Sequence, residues 1–360
     1  MSQPAEAVAA PAPQQSERSR RDFLNAVVRV RELGLIVALA LLITITAIAE
    51  PRFVEAASLR DLVRNATIIA LLAVGQTLVL VTRNLDLSVG SVLGLSAFMA
   101  GDLFQNNPDL PIPLVFALGI LLGAAAGVIN GALVTFGRLP ALVATLGTLY
   151  VFRGLAFVWT GGSQVNAETL PDSFLSIGTS TILGVPTIAL FTVVALVIVG
   201  YALRNYRAGR ELYAIGSNPQ AARLAGIRTD RRVMAAFVAS GALAGLAGVL
   251  FTARYGTVDA TAGTGYELQV IAAAVIGGVA IFGGSGSVWG AALGAVLLTT
   301  ITSALIVLKV PAFWQQAVVG ALLLAAIALD RFIAVRVAER LRQRSTRTTA
   351  AAQARNGGER

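Results

Sequence analysis

The chain has 360 residues, 56% of them hydrophobic and only 13% charged, with a mean hydropathy of +0.75. A soluble fold of this size leaves too much of its chain at the surface to hide that apolar share, and soluble domains are charged at about a quarter of their positions. A soluble enzyme is therefore excluded and an integral membrane protein is indicated. Cysteine and histidine are absent, which removes disulfides, thiolate or imidazole metal ligation, Cys or His nucleophiles and histidine proton relays. The formal charge of +9 rests on 28 basic residues, all Arg except Lys309. They lie in tails and in loops between apolar runs rather than on a basic face interleaved with aromatics, so no nucleic-acid partner is expected.

Residues 1–32 form an N-terminal tail, and its first 20 residues, rich in Ala, Pro, Gln and Ser, read as disordered. Ten apolar runs follow, at 33–49, 66–82, 88–105, 112–130, 140–160, 183–203, 233–252, 267–282, 288–308 and 313–330. A hydrocarbon core of about 30 Å takes roughly 20 helical residues, so each run reads as a span. The stretches 66–105 and 267–308 are broken only by short polar or Gly-rich turns, and nine or eleven spans are the alternatives. Arg18, Arg20 and Arg21, the run from Leu33 and Ala47-Ile48-Ala49 also fit a signal peptide with an A-x-A site. The long n-region and the multi-spanning continuation argue against cleavage.

With the N-terminus inside, 22 of the 28 basic residues fall on cytoplasmic segments and five on outer ones, while Arg153 lies within a span. This asymmetry places both termini in the cytoplasm. The fold predicted is all-α: a polytopic membrane bundle of about ten helices over 33–332, with a basic C-terminal tail over 333–360.

The longest internal loop, 204–232, is cytoplasmic by charge and too long for a bare connector. Asn218 suits an N-cap, Pro219 suits the first helical position, and Gly226 suits the position after a helix end. The spacing predicts a two-turn helix carrying Ala221, Ala222, Arg223 and Ala225. Two turns alone do not hold in water, so the helix must pack on the span ends or on a second protein. The plainer alternative is a charged loop resting on lipid headgroups.

Here the sequence resembles a family. GRELYAIGSNPQAARLAGI at 209–227 resembles the coupling loop of bacterial ABC importer permeases for monosaccharides: the ribose, xylose and rhamnose group, with the autoinducer-2 importers close by. TRNLDLSVGSVLGLSAF at 82–98, ALVATLGTLYVFRGLAFVWTGG at 141–162 and GGVAIFGGSGSVWGAALGA at 277–295 resemble the same family in the same order. Arg83-Asn84 replace two small residues common in the family and favour the rhamnose/autoinducer-2 branch.

The resemblance implies a permease subunit of the inner membrane. Its partners would be an ABC ATP-binding subunit, a periplasmic sugar-binding protein and a second permease subunit, like or unlike itself. It places the ATPase contact on Glu211, Gly216, Asn218, Pro219, Ala221, Ala222, Arg223 and Gly226. The chain has no G-x-x-x-x-G-K-[ST] phosphate loop. It is therefore expected to bind no cofactor and to catalyse no reaction, with ATP and Mg held by the partner.

Polar residues inside apolar runs are functional candidates, because burying them in lipid is costly. Gln76, Asn130, Thr145 and Arg153 are candidates for a translocation path. Bonding between helices, and snorkelling in the case of Arg153, are the structural alternatives. Asp86 and Ser88, opening the third span, read as a gate or as a helix cap. Asp102 and Glu267 fall near outer span ends. Gly119-x3-Gly123-x3-Gly127, Gly241-x3-Gly245 and Gly286-x3-Gly290-x3-Gly294 read as close helix contacts. An ion-coupled secondary transporter of a small polar solute is the alternative function, but the span interiors offer almost no carboxylates for ion binding. An intramembrane metal hydrolase would want paired acidic motifs, and no D-x-x-D occurs.

Overall fold

The structure, a computed structural model, describes residues 14–311, 313–325 and 327–328. The basic tail at 333–360 and the first 13 residues lie outside this range. In chain order the elements begin with α1 (Gln14–Ala49), α2 (Ala56–Leu80), α3 (Val89–Asn106), α4 (Ile112–Thr135), α5 (Ala141–Thr160) and the short α6 (Asp172–Thr179). A hairpin of β1 (Thr181–Ile182) and β2 (Val185–Pro186) follows, with Thr181 opposite Pro186. Then come α7 (Thr187–Asn205), α8 (Arg207–Ser217), α9 (Pro219–Leu224), α10 (Thr229–Tyr255), α11 (Tyr266–Ile276), α12 (Val288–Val307) and α13 (Phe313–Ala325).

Each of the ten apolar runs overlaps a helix, the run at 183–203 beginning in the hairpin and that at 267–282 outlasting α11, but among the described residues only seven helices are long and apolar enough to span a membrane. These are α1 from Glu32 onward, α2, α4, α5, α7, α10 and α12. Three of the ten expected spans therefore differ. α3 has 18 residues but ends on Asp102, Gln105 and Asn106, which lowers its hydropathy. α11 has only 11 residues, and α13 covers 13 described residues as a shorter apolar helix.

Burial separates the helices into a centre and a rim. α2 is buried on every side from Ala66 to Leu80, and α3 from Val89 to Gly101. α1, α4, α5 and α7 turn Leu, Ile and Val outward, as at Ile48, Leu121, Val158 and Ile198, the pattern of helices facing lipid tails. α4 crosses α10 with glycine on both sides. A Cβ on Gly123 would strike the Gly241 carbonyl, and one on Gly245 would strike the Gly119 carbonyl. The small-residue repeats at 119–127 and 241–245 thus pack against each other, with backbones at a distance no larger residue permits. Gly290 and Gly294 pack on Gly277 and Ala273 in the same way, joining α12 to α11.

Two segments enter the bundle without helical structure. After α2 the chain turns at Val81 beside α8, then runs back inward through 84–88 to α3. The loop 256–265 enters from the opposite end and leads into α11. That helix rises only about 16 Å, roughly half the hydrocarbon thickness, before 277–287 returns to α8, where Gly284 N–H donates to the Val81 carbonyl at 3.0 Å. The two segments meet inside the protein: a Cβ on Gly90 would strike the Gly263 carbonyl and the Glu267 carboxylate. Irregular backbone at membrane depth persists only where protein or a water-filled cavity satisfies it.

Candidate functional site

The first candidate region is the Arg-rich elbow formed by α8 and α9. Asn218 caps α9 as its sequence position predicts, with Oδ1 accepting from the N–H groups of Gln220 at 3.1 Å and Ala221 at 3.0 Å. Pro219 holds the first helical position. Gly226 closes the helix at φ +77°, a left-handed backbone that favours glycine. Of the predicted small-residue face, Ala222 packs inward while Ala221 and Ala225 are exposed. Leu224 stands 91% exposed at the tip, next to exposed Arg223.

α8 was not foreseen in the sequence, although its 11 residues carry the anchor of the elbow. Gly216 lies so close to the turn after α2 that a Cβ would strike the Val81 carbonyl and the Gly284 amide. Arg83, itself at φ +67°, donates from Nε to the Gly216 carbonyl and from Nη2 to the Ser217 carbonyl at 2.8 Å. A cation there satisfies the free carbonyls at the end of α8 and complements its dipole. The Tyr213 hydroxyl donates to the Gly286 carbonyl at 2.9 Å, and burial pushes its pKa up to about 12, so it stays a neutral donor. Glu211 accepts from Arg232 Nε at 2.5 Å and Arg207 Nε at 2.7 Å. The Arg232 bond, then the Arg207 bond, hold its carboxyl below the usual range. α8 is thus fixed to the start of α10, to the turn after α2 and to the turn before α12.

The second region is the junction of the two irregular segments. Asp86 Oδ1 accepts from Ser88 N–H at 2.9 Å and from Ser88 Oγ at 2.7 Å. Asn130 Nδ2 donates to Ser88 Oγ at 2.7 Å, and Thr148 Oγ1 donates to Asn130 Oδ1 at 2.6 Å. Gln76, in the amide orientation its neighbours require, bonds the backbone N–H and carbonyl of Asp86 at 3.2 Å each. Thr145 Oγ1 donates to the Leu85 carbonyl at 3.2 Å. Five of the six residues singled out for a path, gate or cap therefore converge on one buried network that closes the 84–88 segment against α2, α4 and α5. Ser88 makes no side-chain cap to α3. The hydrogen-bonding groups of this cluster are turned on one another.

Arg153, the sixth, serves the other segment. Its Nη1 donates to the carbonyls of Ala260 and Ala262 at 2.7 Å each. Glu267 is half-buried and turns its carboxylate inward, where it lies against Gly90 and accepts from Gly265 N–H at 3.2 Å. The re-entrant loop 256–265 had a readable signal in its glycines at 256, 263 and 265, all at positive φ. The run of ten hydrophobic segments masked it.

A buried helical bundle with glycine-lined crossings, broken spans and an Arg-rich helical elbow at one end is the anatomy of a transport subunit of the membrane. Comparisons with known proteins agree. Residues 58–327 match the family described as branched-chain amino acid transport system / permease component. The autoinducer 2 import system permease protein LsrC of Escherichia coli (strain K12 / DH10B) is 39% identical over 300 residues, 83% of this chain and 86% of that protein. LsrC of Salmonella choleraesuis (strain SC-B67) is 38% identical over 300 residues, 83% and 85% of the two chains. LsrC of Enterobacter sp. (strain 638) is 38% identical over 324 residues, 90% and 91%. No solved structure matches. The chain belongs to this permease family: it is a multi-pass inner-membrane subunit of an ABC importer, a transport component without an ATPase site of its own.

Proposed function

We propose that this chain, paired with a second permease subunit, forms the path by which a small sugar-class solute enters the cytoplasm. A periplasmic binding protein delivers the solute, and an ATPase subunit holding ATP and Mg docks on the α8–α9 elbow. The observation that carries this reading is the elbow. Its inner face is fixed through Gly216, Arg83, Tyr213 and Glu211, while Leu224 is left open beside Arg223, which is exposed and held by Thr229 and Asp230. A rigid anchor with an unoccupied tip suits a lever that passes motion from a partner into α2, α10 and α12, the kind of rigid-body switching used in alternating access. The Arg-rich end is then cytoplasmic, in keeping with the positive-inside rule.

The solute class rests on the relatives, which import autoinducer 2, and on the family resemblance to rhamnose permeases. Autoinducer 2 and L-rhamnose are the two solutes to compare. The test is reconstitution in proteoliposomes. The chain alone should neither take up labelled solute nor hydrolyse ATP, and with its ATPase, binding protein and partner permease it should do both. Ala222→Glu or Gly226→Pro should uncouple hydrolysis from uptake or prevent assembly, while membrane insertion stays normal. Uptake by the chain alone under a proton gradient would overturn the reading.

A further inference from the structure

A cavity of about 640 Å³ opens between α2, α11, α12 and α13, at the end of the bundle away from the elbow. Its volume is that of a small-molecule site. α12 contributes Thr299, Thr302, Ser303 and Ile306, spaced i, i+3, i+4 and i+7 and so on one face of the helix. α13 contributes Gln315 and Gln316, and α11 contributes Tyr266 and Gln269. No Asp, Glu, Lys or Arg lines it.

The polar groups there differ from those of the junction in one respect. Thr264 and Thr302 donate to carbonyls of their own turns, and Asn65 Oδ1 is taken by Arg254 and Tyr255. The side chains of Gln269, Thr299, Ser303, Gln315 and Gln316 make no hydrogen bond to any described residue. Gln316 is exposed and Gln269, Ser303 and Gln315 are half-buried, so these amide and hydroxyl groups are accessible from the cavity and would be costly only where lipid tails filled it. They are tolerated where water or a polar solute meets them. The aromatic wall is held in place: Phe251 packs its ring on Tyr255 at 4.5 Å and on Tyr266 at 6.2 Å between centroids. The cavity also borders the start of α11, the broken span. Solute sites formed at discontinuous helices near the bilayer midplane recur in transporters.

We propose that this cavity is a binding site for an uncharged, polyhydroxylated solute, with Gln269, Ser303, Gln315 and Gln316 bonding its hydroxyls and Tyr266 lying against its carbon skeleton. Amides and hydroxyls donate and accept alike, which suits vicinal hydroxyl groups, and the lack of any lining charge disfavours ionic cargo. The assignment rests on the importer reading and on its sidedness, which puts the cavity in the outer half of the membrane.

The absence of cysteine from the chain permits a direct test in the reconstituted complex. Ser303→Cys is treated from the outer side with a membrane-impermeant methanethiosulfonate, with and without L-rhamnose or, separately, autoinducer 2. Ser180→Cys, on the exposed hairpin at the same end, is the control. Ser303→Cys should react, and the transported solute should slow its reaction at least about fivefold while leaving Ser180→Cys unaffected. Gln316→Leu and Gln269→Leu should each raise the KM for uptake about fivefold, the equivalent of one hydrogen bond, with unchanged ATPase stimulation by the binding protein. A Ser303→Cys that never reacts, or reacts at the same rate with either solute present while the complex imports one of them, overturns the site and leaves the importer reading standing. A wild-type complex that imports neither solute strikes that reading instead, and unprotected Ser303→Cys in that complex removes the site as well.

Discussion

The elbow and the membrane junction are both held by backbone carbonyls meeting arginine, yet they serve opposite ends of the task. At the elbow, Arg83 grips the last carbonyls of α8 and leaves the α9 tip free. At the junction, Arg153 grips the carbonyls of Ala260 and Ala262, and Asp86, Ser88, Asn130 and Thr148 use up one another's hydrogen bonds. The difference teaches how to sort polar residues in a membrane chain. A polar side chain within an apolar run marks either a partner inside the fold or a partner outside it; unspent donors and acceptors point outside only where the group is accessible, which the buried Ser240 hydroxyl, unpartnered among the described residues, is not. By that measure the junction residues are spent on one another, while Gln269, Ser303, Gln315 and Gln316 of the outer cavity are not; the elbow tip is open in another way, through the exposed apolar Leu224.

The sharpest way to separate the regions is to break one and read the other. Gly216→Val should have the largest effect, because its Cβ branch meets backbone on two sides, Val81 and Gly284, and neither can yield cheaply. ATPase stimulation should fall to background and the detergent-purified chain should lose several degrees of thermal midpoint. Arg153→Met should act locally. Freed from the guanidinium, the 256–265 loop should exchange its amide hydrogens at least about tenfold faster, with exchange in α8 and α9 unchanged. Acceleration in both regions at once would mean that they are one cooperative unit.

Glu211→Gln should have the smallest effect, and it is pH-dependent. The folded-state pKa of Glu211 is lowered by its arginine partners. Its contribution is therefore present above the ordinary glutamate pKa of about 4.3 and is lost as pH falls through the lower folded value. Between pH 7 and pH 5 the variant and the wild type should differ by a constant margin in thermal midpoint. Below pH 4 the margin should shrink as the wild-type carboxylate is protonated.

Much of the elbow was legible in the sequence because caps are local: Asn218, Pro219 and Gly226 each act within four residues of chain. α8 was missed although residues 207–217 carry a clear amphipathic helical period: the segment reads as part of a charged loop, and its stabilising partners, Arg83, Arg232 and Gly286, are distant in sequence. The spans were legible as apolar runs, but their lengths were not. α11 stops at Ile276 because Gly277 must lie against Gly290, a tertiary requirement that hydropathy does not carry. Gln76, Asn130 and Thr145 were found as a set of polar groups inside apolar runs, but their mutual bonding was invisible until the segment 84–88 was seen to fold back among them.

The central claim is that the α8–α9 elbow is where a separate ATPase pushes. Its most direct measurement places a single cysteine at Leu224, the exposed tip of α9, in this otherwise cysteine-free chain, and oxidises the assembled importer against single cysteines along the groove of the ATPase subunit. The account predicts a disulfide between the two subunits whose yield changes between the nucleotide-free and ATP-bound states, with uptake blocked while the bond holds. A Leu224→Cys that never joins the ATPase in either state, and that reacts instead with an impermeant reagent added outside the cell, would contradict it.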